Sequence, residues 1–307
     1  MRSIRRQVGR TLIELMISIT IGLAVMAAIV AIYSATTSTS RQADASQRMS
    51  EDAAVTLNLL GTYFRMAGFS FPQANVATNT VTAGSATFQV KDSNFSGTAI
   101  RGCDNGFSNP TVSATTSLTC NGSAGPDAVV VRFEADTSNT FPTTDSPPQA
   151  SDCLSQGISN NGTSDFDGTT AYTVMEARFY LRSGTASGTR DLYCGGNGTS
   201  TFSAQPLIQY VDDLVLAYGV AVDVSSHQVV QYMTSAQIDA LGGTMDANWG
   251  RVISVKLCIV MRSESADQAG VGSYVDCSGS VVTASDKYQR RAFSSVVGLR
   301  NRGGFVL

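Results

Sequence analysis

A single uncharged stretch near the amino terminus constrains this chain more than any other feature. Residues Leu15 to Tyr33 contain no charged side chain, and a helix of this length, at about 1.5 Å per residue, crosses the hydrocarbon core of a bilayer. Arg2, Arg5 and Arg6 precede the stretch, and no acidic residue lies among them. Because basic residues flanking a membrane helix stay in the cytoplasm, the pattern predicts a single-pass helix whose carboxyl side is exported.

One carboxylate, Glu14, lies at the start of the apolar stretch. A charge inside a membrane helix is costly, so such a residue is a functional hypothesis by default. A cleaved secretory signal is the alternative, because a basic region followed by an apolar region is typical of signal peptides. The length of the stretch, its interruption by Glu14 and the lack of a clear A-x-A site favour a helix that the mature protein keeps.

The helical pattern continues beyond the apolar stretch. No proline occurs before Pro72, and apolar residues recur every three or four positions, at Ala45, Met49, Ala53, Leu57, Leu60 and Phe64. This periodicity is typical of an amphipathic helix. We expect one continuous helix from about Thr11 to about Ala67, with Gly68 as the C′ residue and the Ser/Thr segment 36–40 as its least stable part.

Residues 69–307 are polar and rich in Gly, Ser, Thr, Asn and Asp, with short apolar runs. Runs of this kind between turn residues predict strands. The candidate strands are 86–90, 128–134, 172–181, 214–222, 229–233, 252–261 and 288–299, and residues 235–241 are a candidate short helix. We therefore expect an α+β fold, in which a long amino-terminal helix packs on an antiparallel sheet with long loops.

The six cysteines lie in this polar part of the chain, at Cys103, Cys120, Cys153, Cys194, Cys258 and Cys277. No C-x-x-C occurs and the chain has one histidine, so zinc and thioredoxin-type sites are not indicated. An even number of cysteines favours disulfides in an oxidising compartment over free thiols. Six cysteines allow 15 connectivities, and pairing of sequence neighbours, which closes short local loops, is the working hypothesis.

Motifs of catalysis or nucleic-acid binding are missing from the sequence. The formal charge is −3, which gives no basic surface for direct nucleic-acid binding. No G-x-S-x-G, P-loop or H-E-x-x-H occurs, His227 has polar neighbours, and the adjacent Asp212 and Asp213 point to opposite faces of a strand. The acidic segment 164–168 is interpreted as a turn rather than a calcium loop. We expect no enzyme activity, no cofactor and no metal.

The basic leader, the glycine, the T-L-I-E sequence and the apolar helix together resemble the class III signal of type IV pilins and pseudopilins. The resemblance implies that a prepilin peptidase cleaves between Gly9 and Arg10 and methylates the new amine of Arg10. It also implies an assembly role for Glu14, the fifth mature residue, which would meet the terminal amine of a neighbouring subunit. The family usually has phenylalanine or another apolar residue at the position of Arg10.

Sequence blocks in the carboxyl-terminal third are similar to the PilW family of minor pilins. They are residues 209–223 (QYVDDLVLAYGVAVD), 231–233 (QYM), 248–263 (NWGRVISVKLCIVMRS) and 290–302 (RRAFSSVVGLRNR). The resemblance implies a type IV pilin-like fold with four parts: a leader at 1–9, a membrane and assembly helix at 10–35, its amphipathic continuation at 36–68, and an exported β-rich domain at 69–307. We interpret the blocks themselves as strands and turns of the core.

This resemblance implies a minor pilin that sits in the inner membrane with a periplasmic domain and then enters a pilus at the cell surface. Its partners would be other minor pilins, the major pilin, the prepilin peptidase and the inner-membrane assembly machinery. It would help prime the pilus and support twitching motility, attachment or DNA uptake. A type II secretion pseudopilin is one alternative, and a tip adhesin that binds ligands through residues 70–205 is another.

Overall fold

The long amino-terminal helix dominates the fold. The computed structural model describes residues 11–71, 80–83, 86–89, 94–95, 97–159, 161–163, 171–184, 188–198, 202–224, 226–266 and 272–301. Helix α1 spans Leu12–Met66, with Thr11 as its N-cap and Ala67 as its C-cap. Gly68 follows with φ +72°, the left-handed conformation in which glycine commonly ends a helix. The expected continuous helix and its carboxyl-terminal glycine are both found.

The second half of α1 packs on the β-rich domain through one side. Met49, Ala53, Leu60 and Phe64 are almost fully buried, and they repeat at the three- and four-residue spacing that the sequence shows. Tyr63 lies edge-on to Phe179, with ring centroids 4.9 Å apart. The amphipathic pattern therefore marks the surface on which the domain sits.

The described part of the domain is built from short and long strands, two one-turn α-helices and a 3₁₀ turn at Thr115–Ser117. In chain order the described strands are β1 Thr80–Ala83, β2 Ala86–Gln89, β3 Ile100–Cys103, β4 Ala128–Glu134, β5 Gly162–Thr163, β6 Ala171–Tyr172, β7 Val174–Ser183, β8 Arg190–Gly196, β9 Ser203–Ile208, β10 Val211–Val220, β11 Gln231–Met233, β12 Val252–Ala266, β13 Ser273–Val275, β14 Val281–Thr283 and β15 Tyr288–Gly298. The helices are α2 Ser235–Asp239 and α3 Met245–Trp249.

Two antiparallel sheets carry the architecture. The first has strand order β3-β4-β7-β8-β9 and the second β11-β10-β12-β15. In the second sheet, Leu214, Leu216 and Tyr218 alternate along β10 and are buried, so one face of this sheet turns to the core. That face packs against α1 and the first sheet, and one hydrophobic cluster joins Leu60 of α1 with Phe179 of β7 and the buried residues of β10.

Most candidate strands are present with small changes of bounds. The run 128–134 is β4 without change, and the candidate helix at 235–241 forms as the shorter α2. The strands that were missed are short or carry turn-type residues, such as Gly195 in β8 and Pro206 in β9; they are β1, β3, β5, β8, β9, β13 and β14. Pairing with neighbouring strands outweighs the weak local preference at these positions.

Candidate assembly surface on the long helix

The first half of α1 projects from the domain with its apolar side chains exposed. Leu12 is 78% exposed, Leu23 65% and Tyr33 71%, and no residue of the most apolar window is buried. The stretch 12–33 is about 33 Å long at about 1.5 Å per residue, close to the hydrocarbon thickness of a bilayer. A helix with apolar side chains on all sides needs lipid or other helices around it. This half is therefore a candidate membrane anchor and packing surface.

Glu14 lies in the first turn of this exposed half. Its backbone N–H donates to the Thr11 carbonyl over 3.1 Å, and its carbonyl accepts the Ser18 hydroxyl at 2.7 Å. A carboxylate near a helix amino terminus is favoured by the helix dipole. The predicted cleavage site, Gly9 and Arg10, lies outside the described residues, so the assembly role of Glu14 stays a prediction.

Helix α1 continues without a break through the Ser/Thr segment that follows the apolar half. Hydroxyls of this segment donate to backbone carbonyls one turn earlier: Thr36 to Ile32 at 2.8 Å, and Thr37 to Tyr33 at 2.7 Å. This bonding satisfies the polar side chains within the helix itself, although it commonly bends helices slightly. The segment thus places polar groups at the carboxyl-terminal end of the apolar half without ending the helix.

A groove of about 1330 Å³ separates the middle of α1 from the part of the domain that contains the ends of β9 and β12. Ser38 and Gln42 line it from the helix, Tyr210 from the turn before β10, and Glu264 from the end of β12. Across the groove, Arg48 Nη1 lies 3.6 Å from Glu264 Oε2, and both side chains are more than half exposed. Exposed ion pairs of this kind contribute little stability.

The sequence blocks of the carboxyl-terminal third meet at one place in the core. Tyr218 lies edge-on to Trp249, with centroids 5.0 Å apart. The indole Nε1–H of Trp249 donates to Asp239 at 2.7 Å, and Arg101 of the first sheet reaches the same carboxylate at 3.5 Å. Burial raises the pKa of Tyr218 well above its ordinary value, so this phenol stays neutral. Tyr218 and Trp249 of these blocks are thus part of the core, as predicted.

Three of the same sequence blocks also contribute charged residues to an ion-pair network on the outer face of the second sheet. Arg290 Nε donates to Asp212 over 2.5 Å, and its other nitrogens bind Asp286. Arg262 lies 3.7 Å from Asp212. Hydrogen bonds from Arg290 hold the pKa of Asp286 near 2. Asp212 is thus used in an ion pair, while Asp213 accepts the N–H of Leu214, and the two carboxylates do not form a shared site.

Three disulfides connect the six cysteines. They join Cys103 to Cys120, Cys153 to Cys194 and Cys258 to Cys277. The pairing of sequence neighbours is therefore the one found. Cys258–Cys277 ties the β13–β14 hairpin to the outer face of β12, and Cys153–Cys194 ties a long loop to β8.

The structure also contains buried charges that the sequence did not single out. Arg178 is fully buried in β7, where its guanidinium donates to the carbonyls of Pro110 and Val112 and pairs with Glu176 over 2.6 Å. The signal available in the sequence was the spacing of Glu176 and Arg178, which places both on one face of the strand. Burial lowers the pKa of Arg178, while the neighbouring carboxylate favours its charged form.

Residues considered for catalysis or metal binding show no such arrangement in the described part of the chain. His227 is exposed, and no cluster of three or more histidine, cysteine, aspartate or glutamate side chains suitable for a metal occurs among the described residues. The acidic segment 164–168 lies outside them.

Comparison with known families supports the carboxyl-terminal resemblance. Residues 178–301 match the family model of PilW, the Type IV Pilus-assembly protein W. The match begins in β7 and includes the whole second sheet with α2 and α3. The similarity to this family is confirmed over these residues, and it indicates involvement in type IV pilus assembly. Searches of curated proteins and of solved structures gave no match.

Proposed function

We propose that this chain is a minor pilin that takes part in priming and building a type IV pilus by helix packing. The observation that carries the proposal is the exposed apolar half of α1, with Glu14 in its first turn. It occurs on a chain whose carboxyl-terminal part matches a pilus-assembly family. An anchor of this kind holds the subunit in the inner membrane, with the domain in the periplasm, until the helix enters a fibre.

Processing by a prepilin peptidase would complete this assembly surface. Cleavage between Gly9 and Arg10 creates a terminal amine, which the same peptidase methylates, four residues before Glu14. A buried carboxylate is costly without a partner, so a neighbour's amine opposite Glu14 rewards correct helix register more than it adds stability. Because Arg10 follows the cleavage site, a neighbour's Glu14 meets two positive charges at this end.

Small residues on the same half of α1 fit close contact between helices. They are Gly22, Ala24, Ala27 and Ala28, all of them exposed. Small side chains let helix backbones approach in apolar surroundings, where van der Waals packing drives association. Partners of this surface are other minor pilins and the major pilin, and the assembled fibre supports twitching motility, attachment or DNA uptake.

Deletion of the gene, with surface pili counted and type II secretion assayed, tests this function. We expect loss of pili with secretion intact. Loss of secretion with normal pili would instead support a type II pseudopilin.

The role of Glu14 has its own test with a matched control. Glu14→Ala should still insert and be processed but should restore few pili in the deletion strain, because the register-setting carboxylate is gone. Glu51→Ala is the control, because Glu51 is an exposed glutamate of the same helix and accepts a hydrogen bond from Gln47 within that helix. Normal piliation with Glu14→Ala contradicts the register role.

A further inference from the structure

Strand β15 forms a long edge of the second sheet. It spans Tyr288–Gly298 and pairs with β12 alone among the described strands. The β13–β14 hairpin borders its first residues, where Tyr274, Tyr288 and Arg290 line a small pocket. From Ala292 to Gly298 the strand has no charged residue and no proline. A methyl group built on Gly298 would meet no atom within 4 Å, so the face of the sheet at the end of the strand is uncovered there.

The hydrogen-bonding direction of each residue in this edge follows from one backbone hydrogen bond. Leu299 donates its N–H to Ile253 over 2.9 Å, in the register that pairs Val297 with Val255. Residues of an antiparallel pair alternate between bonding to the partner strand and pointing away from it. The backbone groups of Ala292, Ser294, Val296 and Gly298 therefore point away from β12.

An edge with these properties is suited to pairing with another strand. Val296 is 60% exposed beside exposed Lys256 on the outer face. Long uncharged edge strands act as templates for a further strand, and proteins that avoid pairing usually place proline or charge within them. Here the charges flank the edge and do not interrupt it.

Those flanking charges select the kind of strand that fits. Arg291 and Arg300 are exposed, and neither forms a salt bridge within the described part of the chain. Antiparallel pairing of β15 with β15 of a second copy would place Arg291 of one copy and Arg300 of the other at the same end of the paired strands, and so would concentrate positive charge at both ends. Like charges across strands are destabilising, whereas acidic residues opposite these arginines are favourable.

We propose that the edge Ala292–Gly298 accepts one antiparallel strand, flanked by acidic residues at both ends, from a different pilin-type subunit. The class of partner rests on the proposed function, whereas the pairing chemistry rests on the edge itself. Main-chain hydrogen bonds give the affinity in this mode of recognition, and the flanking charges give the selectivity.

Photo-crosslinking in cells that make pili tests this pairing on the full-length chain. A benzophenone amino acid at Ser294, which is exposed on the open edge, should form an adduct with a subunit that has a pilin-type amino-terminal helix. Val296→Pro removes an outward N–H without removing a bond to β12, and should lower the adduct about tenfold, the effect of about 1.4 kcal/mol. Val296→Thr keeps that N–H and should retain the adduct. Arg291→Glu combined with Arg300→Glu should also lower it.

Thermal unfolding of each variant checks that the fold is kept. An adduct with a second copy of this chain, an adduct with a protein of another class, no adduct, or an adduct undiminished by Val296→Pro would each overturn the pairing. The crosslinking results and the gene deletion test different proposals, and their failures can be told apart. Normal pili after deletion refute the proposed function, whereas loss of pili after deletion with an undiminished adduct in Val296→Pro refutes the edge alone.

Discussion

Asp127 couples the two sheets, and its replacement by asparagine should change the stability of the domain in opposite directions at low and high pH. Its backbone N–H donates to Leu214 in β10 over 2.8 Å, and its carboxylate accepts the N–H groups of Leu216 at 2.7 Å and Asn105 at 3.3 Å. Burial raises the pKa of Asp127 from 3.8 to about 6, against the lowering effect of the two N–H groups. The charges that face it, Asp104 and Asp213, raise it further.

The sign of the effect follows from the proton balance. Between pH 4 and pH 6 the folded chain holds a proton on Asp127 that the unfolded chain has lost, so stability falls as pH rises through this window. The rise in the pKa of Asp127 from 3.8 to about 6 corresponds to a loss of unfolding free energy of about 3 kcal/mol. Because the carboxylate keeps some contact with water, we take this loss as about 2 to 3 kcal/mol. Above about pH 7 the full cost is present.

Asp127→Asn removes the free-energy cost of burying the charged carboxylate. However, the asparagine amide has one oxygen that can accept a hydrogen bond, whereas the carboxylate has two. The lost acceptor for Leu216 or Asn105 should cost about 1 kcal/mol at every pH. We therefore expect the variant to be about 1 kcal/mol less stable than the native chain at about pH 3, about equally stable at about pH 4.5, and about 1 to 2 kcal/mol more stable at about pH 8.

Urea unfolding of the full-length protein in detergent measures this difference. Trp249 is the single tryptophan and is 2% exposed, so its fluorescence reports loss of the core. The control is Asp276→Asn in the β13–β14 turn. Hydrogen bonds to this aspartate, of which the one from the Ser278 side chain has the largest effect, lower its pKa. That variant should lose stability relative to the native chain as pH rises. The prediction fails if the free energy of unfolding of Asp127→Asn differs from that of the native chain by the same amount at pH 4.5 and 8. It also fails if the variant loses more stability at pH 8, because either result means that the pKa of Asp127 is not raised in the folded chain.

Two further predictions concern the core and a disulfide. Gly102→Ala should destabilise the domain by about 1 to 3 kcal/mol, because the added methyl group would overlap the buried hydroxyl of Tyr218; unchanged urea unfolding would show that this hydroxyl moves freely. Replacement of both Cys153 and Cys194 by alanine should cost about 4 kcal/mol, since their bond closes a loop with sequence separation 41. Thermal unfolding checks this cost, and a midpoint equal to that of the native chain would contradict it.

Much of the helix and several strands could be predicted because their signals are local. The bounds of α1 follow from an uninterrupted three-to-four-residue periodicity that ends at Gly68. Strand β4 was predicted with its exact bounds, since AVVVRFE is a compact run of β-branched and apolar residues. Glu14 could be singled out for a similar reason, because a lone carboxylate beside an apolar stretch is visible without any structure.

Other features depend on contacts between distant segments and could not be predicted. Burial of Arg178 requires carbonyls from Pro110 and Val112, and the raised pKa of Asp127 requires β10 to cover it. No local pattern encodes such meetings, because their energy arises only after the chain has closed long loops.

The sequence by itself determined the apolar half of α1, its amphipathic half, the number of cysteines and the antiparallel character of the domain. All of these depend on side-chain periodicity and composition over short distances. The tertiary structure alone decided the order of strands, and thereby that β15 lies at an edge, with Arg291 and Arg300 on either side of its uncharged segment Ala292–Gly298. Whether a strand is central or at an edge depends on which segments pair with it, and that choice is made by packing across the whole domain.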